Sequence, residues 1–317
     1  MTGQRTTVRP HVMQRAVTRP PARRTDPGWV RARAVVALLV FASLAVVLGV
    51  RTHGLIGPAE GPSSEDQWAL QDYRDAIDQP VRAWLDGVNP YDSTDYHRSR
   101  PLALQPYPLY APHHLLIHSP LALVDYGTAR WIYWATSIGL VLVMAAVALR
   151  LTGSAVTWTS VFGWGALVLA SRPGHMDIVV GNVGLRLALF TWLAMRDPER
   201  HPWSAVIGLA LAWTKPTYGL PLAVLLLARG RKRSVAIGTG VAVLASVVTM
   251  SRTMVAEGSV FGVLSPDGGV GSGIRDAIGA RARVDVGAIL SFLTNQDVGR
   301  LAAVVLGSVV VLAAALF

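Results

Sequence analysis

Long apolar runs, separated by short charged or proline-rich segments, are the feature that most constrains how this chain can fold. With 52% hydrophobic and 15% charged residues over 317 positions, the chain is too apolar for a soluble domain of this length. We therefore predict an all-α polytopic membrane protein. The predicted spans are residues 34–50, 126–149, 155–170, 183–195, 203–228, 235–250 and 301–317.

The distribution of basic residues predicts the orientation of the chain. Residues 1–33 hold eight arginines and one acid and are predicted to form a basic, disordered cytoplasmic tail. Nucleic acid or anionic lipid could bind such a tail, but beside a membrane span a topogenic signal is the favoured interpretation, so no nucleic-acid partner is expected. Residues 34–50 would be the first transmembrane helix, 51–125 an extracytoplasmic loop and 126–317 a multi-span bundle. The loop carries five arginines and no lysine, which agrees with this orientation.

Two runs need a special interpretation. A single crossing by residues 203–228 would place the basic sequence RGRKR (229–233) outside the cytoplasm, so we predict a broken or re-entrant pair with Lys215 at its outer tip. The run 301–317 reaches the last residue without a polar flank. It is either a terminal span or the cut end of a longer protein, and we favour a C-terminally truncated chain.

The extracytoplasmic loop contains an amphipathic helix at residues 70–85, predicted to lie on the membrane surface. Asp72 and Asp75 are three residues apart on its polar face and can point into the same space. Pro80 should bend the helix or begin a second one. A solvated acidic face is the alternative interpretation of these acids.

Three sequence blocks give the chain a resemblance to a known family. They are RAWLDGVNPYD (82–92), YPLYAPHHLLIHSPLALV (107–124) and GLALAWTKPTYGLPLAVLLLARGRKR (208–233). In order and spacing they resemble the polyprenol-phosphate-dependent glycosyltransferases of family 87. These are membrane enzymes of the GT-C fold, and many of them are mannosyltransferases. At residues 181–184 the chain has GNVG, with Asn182 where the family often has glutamine.

The resemblance implies a GT-C-like helical bundle that transfers a hexose, most simply mannose, with inversion, at the outer face of the plasma membrane. The donor would be a polyprenyl-phosphate-linked sugar and the acceptor a lipid or glycan, within a shell of membrane lipids. Asp72 or Asp75 would be the general base, with Asp72 preferred for its spacing to the glycine turn. Arg82, Arg172 and Lys215 are candidates for binding the donor phosphate, because the predicted topology places all three at the outer face. The candidate substrate contacts are Tyr107, His113, His175 and Asn182, although Tyr107 is most simply an interface aromatic.

No cofactor is required by such a reaction, because a polyprenyl phosphate is already a competent leaving group. His113, His114, His118 and His175 invite a metal interpretation, but no nearby acid completes a ligand set, so no metal is expected. The chain has no cysteine and hence no thiolate site. Arg172 could instead be an interfacial anchor.

Two other classes of protein remain open from the sequence. A transporter would carry essential charges near the middle of the membrane, whereas this chain concentrates its acids in one loop. A non-catalytic membrane protein fragment is the third interpretation.

Overall fold

A computed structural model describes residues 27–57, 67–100, 110–196 and 201–257. Within these ranges the chain forms helices and no strand, apart from an isolated bridge between Ile56 and Ala69. The prediction of an all-α membrane protein is confirmed. Three predictions fall wholly or partly outside the described residues: residues 1–26 of the predicted tail 1–33, the predicted span 301–317, and Tyr107.

The described residues form twelve α-helices, a π-helical turn at Arg74–Asp78 and a 3-10 turn at Ser119–Leu123. The α-helices are α1 (Pro27–Gly54), α2 (Gln71–Tyr73), α3 (Gln79–Leu85), α4 (Ser93–Ser99), α5 (His113–His118), α6 (Tyr126–Leu151), α7 (Trp158–Ala170), α8 (Arg172–Val180), α9 (Gly184–Met195), α10 (Pro202–Ala212), α11 (Pro216–Ala228) and α12 (Lys232–Glu257).

Three helices of the described part are long and apolar enough to cross a membrane: α1, α6 and the Lys232–Ser251 part of α12. They contain the predicted spans 34–50, 126–149 and 235–250. The described part of helix α1 starts at Pro27, seven residues before the predicted span.

Helices α8 and α9 form a bent pair, which together could make a fourth span. Their axes meet at 113° across the turn at Gly181, whose φ of 77° is left-handed. The sequence prediction had treated residues 171–182 as a loop before a span at 183–195. The short helix α8 forms because Ser171 accepts a hydrogen bond from the Gly174 N–H and Pro173 lies in the first turn.

The apolar stretch at 203–228 is broken, as predicted, and its two arms reverse direction. At the break, the Ala111 N–H donates to the Thr214 carbonyl at 2.9 Å. Beyond the far end of α11, Arg231 donates to the carbonyls of Ala194 and Arg196 at the end of α9, both at 3.2 Å. Arms of 11 and 13 residues are about 17 and 20 Å long, less than the ~30 Å of a bilayer core.

Residues 67–100 pack against this helical bundle. The Leu70 N–H donates to the Val179 carbonyl at 2.7 Å, and the Trp84 indole donates to the Thr249 carbonyl at 2.9 Å. Pro80 lies in the first turn of α3, in agreement with the expected start of a second helix. The apolar face of the predicted helix at residues 70–85 is largely buried, but Asp75 and Asp78 on its polar face are buried as well. An exposed acidic face is therefore the wrong description of this segment.

Gly165 allows α7 to approach α1 and α6 closely. A Cβ at this position would lie 3.0 Å from both Phe41 Cε2 and Leu142 Cδ2. Gly163, two residues earlier on the same helix, has no neighbouring atom within 4 Å of the equivalent point. The two glycines therefore form a matched pair for testing this contact.

We expect Gly165→Ala to lower the free energy of unfolding by about 1–3 kcal/mol, because the added methyl group overpacks the contact. Gly163→Ala should leave stability unchanged or raise it, since alanine favours the helix. Denaturation of the purified protein in detergent measures both. Equal stability of the two variants would contradict the described packing of α1 against α7.

Candidate active site

The carboxylate of Asp72 lies where α2 meets the bend between α8 and α9. Its Oδ2 accepts a hydrogen bond of 2.6 Å from the Asn182 side-chain amide. Burial raises the pKa of Asp72, while the bond from Asn182 and the positive charge of Lys215 act in the opposite direction. Asp75 adds a smaller upward contribution to the same pKa. The group is a half-buried carboxylate with a defined orientation, as a general base requires.

The turn that carries Asn182 is held by Asp177. One carboxylate oxygen of Asp177 accepts from the Leu185 N–H at 3.2 Å, at the start of α9. The Asn182 side-chain oxygen accepts from the Gly184 N–H at 3.0 Å. Sequence reasoning missed Asp177; its position five residues before an asparagine at a glycine turn was the available signal.

Beside this turn lies a cavity of about 630 Å³ between α5, α6 and α9. Its lining is mainly apolar and carries one arginine, Arg186. Arg186 donates to Thr136 Oγ1 at 3.1 Å and Ser137 Oγ at 3.2 Å, and its guanidinium carbon lies 3.8 Å from the centre of the Tyr133 ring. Sequence reasoning missed this residue too, although an arginine inside a predicted span is a recognised sign of function.

Tyr133 connects the cavity to Asp72. Its hydroxyl donates to the Asn182 backbone carbonyl at 3.1 Å, and its ring packs under Arg186. Thr214, which also lines the cavity, immediately precedes Lys215 at the break between α10 and α11. An oriented carboxylate is therefore linked, through Asn182 and Tyr133, to a cavity that is lined by an arginine.

A comparison of the sequence with known protein families identifies the family of the chain. The model of glycosyltransferase family 87 matches residues 109–317. The chain belongs to glycosyltransferase family 87. It is therefore a membrane glycosyltransferase, as the resemblance implied. No curated protein and no solved structure matched the chain.

In this glycosyltransferase the residues matched by the family model include the cavity lining, Asn182 and Lys215. Asp72 lies before the first matched residue. Among the predicted phosphate ligands, the structure brings Lys215 towards Asp72. The Lys215 ammonium lies 5.4 Å from the centre of the Tyr110 ring. Arg172 is exposed at the start of α8.

Arg82 is held by neighbours within its own region. Its Nε donates to both carboxylate oxygens of Asp78, at 3.1 and 3.0 Å, and its Nη2 donates to the Val124 carbonyl at 2.7 Å. Burial raises the pKa of Asp78, and the bond from Arg82 opposes that shift. In the described structure Arg82 ties α3 to the end of the 3-10 turn.

The two histidines predicted to contact the substrate, His113 and His175, lie in separate environments, whereas the ring centres of His114 and His118 are 4.2 Å apart. The ring of His113 is 2.9 Å from Ser246 Oγ and 3.2 Å from the Ala210 carbonyl, which ties α5 to α12 and α10. His175 pairs with Arg51 at 2.9 Å. Burial lowers the pKa of His118 to about 4, so this histidine is neutral. Within the described residues, no three histidine or acidic side chains form a group that could hold a metal ion.

Asp75 lies in a different environment from Asp72. Its carboxylate accepts from Arg74 Nε at 2.8 Å, and the side chains of Asp75 and Arg74 are only 7% and 4% exposed. A buried ion pair of this kind is costly to break, because the remaining charge stays out of water. The structure thus separates the two acids that the sequence left as alternatives.

We expect Asp75→Asn to lower the free energy of unfolding by about 3 kcal/mol, because it removes the charge that faces Arg74. Asp72→Asn should change stability by less than about 1 kcal/mol, since a neutral amide can remain at this half-buried position. Denaturation in detergent compares the two variants. A larger loss for Asp72→Asn would reverse the roles of the two residues.

Proposed function

We propose that this glycosyltransferase moves a hexose, most simply mannose, from a polyprenyl-phosphate donor to a lipid or glycan acceptor, with Asp72 as general base. The observation that carries the proposal is the Asp72 carboxylate, which Asn182 orients and which Asn182 and Tyr133 link to the cavity lined by Arg186. Family membership supports sugar transfer. The choice of mannose follows the family resemblance.

The reaction would proceed by direct displacement. Asp72 takes the proton of the acceptor hydroxyl as its oxygen bonds to the anomeric carbon. The bond from that carbon to the phosphate oxygen breaks, and the polyprenyl phosphate leaves with the electron pair. Attack from the side opposite the phosphate inverts the anomeric centre.

Asp72 suits the role of base better than Asp75. One oxygen of Asp72 accepts from Asn182, and within the described residues no donor is bonded to the other oxygen, which can therefore accept from an acceptor hydroxyl. Both oxygens of Asp75 lie within 3.4 Å of nitrogens of Arg74. Proton transfer to Asp75 would therefore weaken a buried ion pair.

The cavity suits an isoprenoid phosphate in both shape and charge. Arg186 lies near one end, and the apolar side chains of Leu140, Val143 and Phe190 line the rest. From Tyr133 to Val143 helix α6 rises about 15 Å. Gly139 and Val143 are exposed on α6, a candidate span, so the cavity opens on the side that lipid would occupy.

Arg186 would bind the phosphate and stabilise its developing charge, together with Lys215. An arginine within a membrane helix is costly unless it has such a partner. Arg82 and Arg172 remain candidate ligands of the donor phosphate, but Arg82 already forms an ion pair with Asp78.

The orientation proposed for the chain places the N-terminus in the cytoplasm and the site outside it, in the plasma membrane. Thr214 meets Ala111 at one end of α11, and the basic residues 229–233 follow its other end. The basic cluster then lies on the side favoured for positive charge, opposite Asp72.

Transfer of radiolabelled mannose from polyprenyl-phosphate-mannose to membrane acceptors tests the proposed base. We expect Asp72→Asn to lower the rate by roughly 10² to 10⁴-fold, because the proton acceptor is removed. Asp95→Asn, a matched change at a surface ion pair, should retain the wild-type rate. Equal rates for the two variants would remove Asp72 from the mechanism.

Filling the cavity tests where the donor chain lies. A Cβ at Gly139 meets no atom within 4 Å, so Gly139→Leu should fold and project its side chain into the cavity. We expect kcat/KM for the polyprenyl donor to fall at least about tenfold, because the chain loses apolar contact area. Gly240→Leu on α12 also meets open space and is the control. The same kcat/KM in both variants would exclude this cavity as the donor site.

A further inference from the structure

The turn between α8 and α9 is fixed by several bonds to one residue, Asp177. Its backbone carbonyl accepts from the Gly181 N–H at 3.1 Å and the Asn182 N–H at 2.9 Å. Its carboxylate accepts from the Leu185 N–H. Asp177 therefore closes the end of α8 and the start of α9 at the same time.

This arrangement determines which way the Asn182 amide faces. Its oxygen accepts from the Gly184 N–H at 3.0 Å, so its NH₂ group must point the other way. The group on that side is Asp72, whose carboxylate can only accept a hydrogen bond. In this orientation the Asn182 amide accepts from the Gly184 N–H on the turn and donates to the Asp72 carboxylate on α2.

We propose that Asn182, held in place by Asp177, is a positioning residue that orients the Asp72 carboxylate, in addition to any contact with the sugar. The inference rests on the proposed function only in taking Asp72 as the base. Because Oδ2 is bound to Asn182, the turn directs Oδ1 to the acceptor hydroxyl. Asp177 acts through Asn182 and touches neither substrate.

Burial raises the pKa of Asp72, and the contact with Asn182 opposes that shift. The groups around Asp72 are Asn182 and Asp177 on the bend, Lys215 at the break between α10 and α11, Asp75 on its own segment, and the hydroxyls of Tyr110 and Tyr133. A donated hydrogen bond favours the ionised carboxylate. Loss of the Asn182 amide therefore raises the pKa of Asp72, and the base becomes protonated at a higher pH.

The test measures the protonation of Asp72 directly, with or without activity. Dicyclohexylcarbodiimide reacts with protonated carboxyl groups, so labelling of Asp72 in the full chain is followed by mass spectrometry as a function of pH. The variants are Asn182→Ala, which removes the donor, and Gly184→Ala, whose added Cβ would overlap the Asp177 carboxylate. Gly163→Ala is the matched control, since its Cβ meets open space.

We expect the labelling midpoint to move to higher pH in Asn182→Ala, to move less in the same direction in Gly184→Ala, and to stay unchanged in Gly163→Ala. The acidic limb of the kcat profile should move with it, with a rate about tenfold lower on that limb. An unchanged midpoint in Asn182→Ala would overturn the inference. A shift in Asn182→Ala alone would overturn the role of Asp177.

Different results would contradict the proposed function and the positioning role of Asn182. If the labelling midpoints shift as expected while the wild-type protein transfers no sugar, the function of Asp72 as base is wrong and its orientation by Asn182 stands. If sugar transfer requires Asp72 but Asn182→Ala changes only KM, Asn182 is a substrate contact and the positioning role is wrong.

Discussion

The hydrogen bond between Asn182 and Asp72 joins two parts of the chain that are 110 residues apart. One part is the segment of short helices after α1, and the other is the 113° bend between α8 and α9. The bend exists because Gly181 takes a left-handed conformation and Asp177 supplies acceptors to the backbone on both sides of it. The position of Asp72, the proposed base, therefore depends on a turn between two helices that are distant from it in sequence.

Buried charge divides the acids of residues 71–85 into two groups. Asp75 and Asp78 are each paired with a neighbouring arginine and hold the segment together. Asp72 has a neutral donor as its closest partner, which orients a carboxylate without fully neutralising it. This difference in partners is the basis for proposing a chemical role for Asp72 and a structural role for Asp75 and Asp78, and helix periodicity alone cannot show it.

Hydrophobic runs predicted the long helices α1, α6 and α12, and the position of RGRKR predicted the reversal at Lys215. The family resemblance predicted the class of enzyme. Helix α8 was missed because nine residues with a proline and a histidine give a weak apolar pattern. The sequence carried a signal for both Arg186 and Asp177, but their contacts with α6 and with the start of α9 are visible only in the structure.

The central claim is that a prenyl-phosphate sugar lies between Arg186 and Asp72. An electron cryo-microscopy structure of Asp72→Asn, with polyprenyl-phosphate-mannose bound in a lipid nanodisc, tests it most directly. The account predicts the prenyl chain in the cavity between α6 and α9, the phosphate on Arg186 and the anomeric carbon facing residue 72. Density for the donor outside this cavity, with the sugar remote from residue 72, would contradict it.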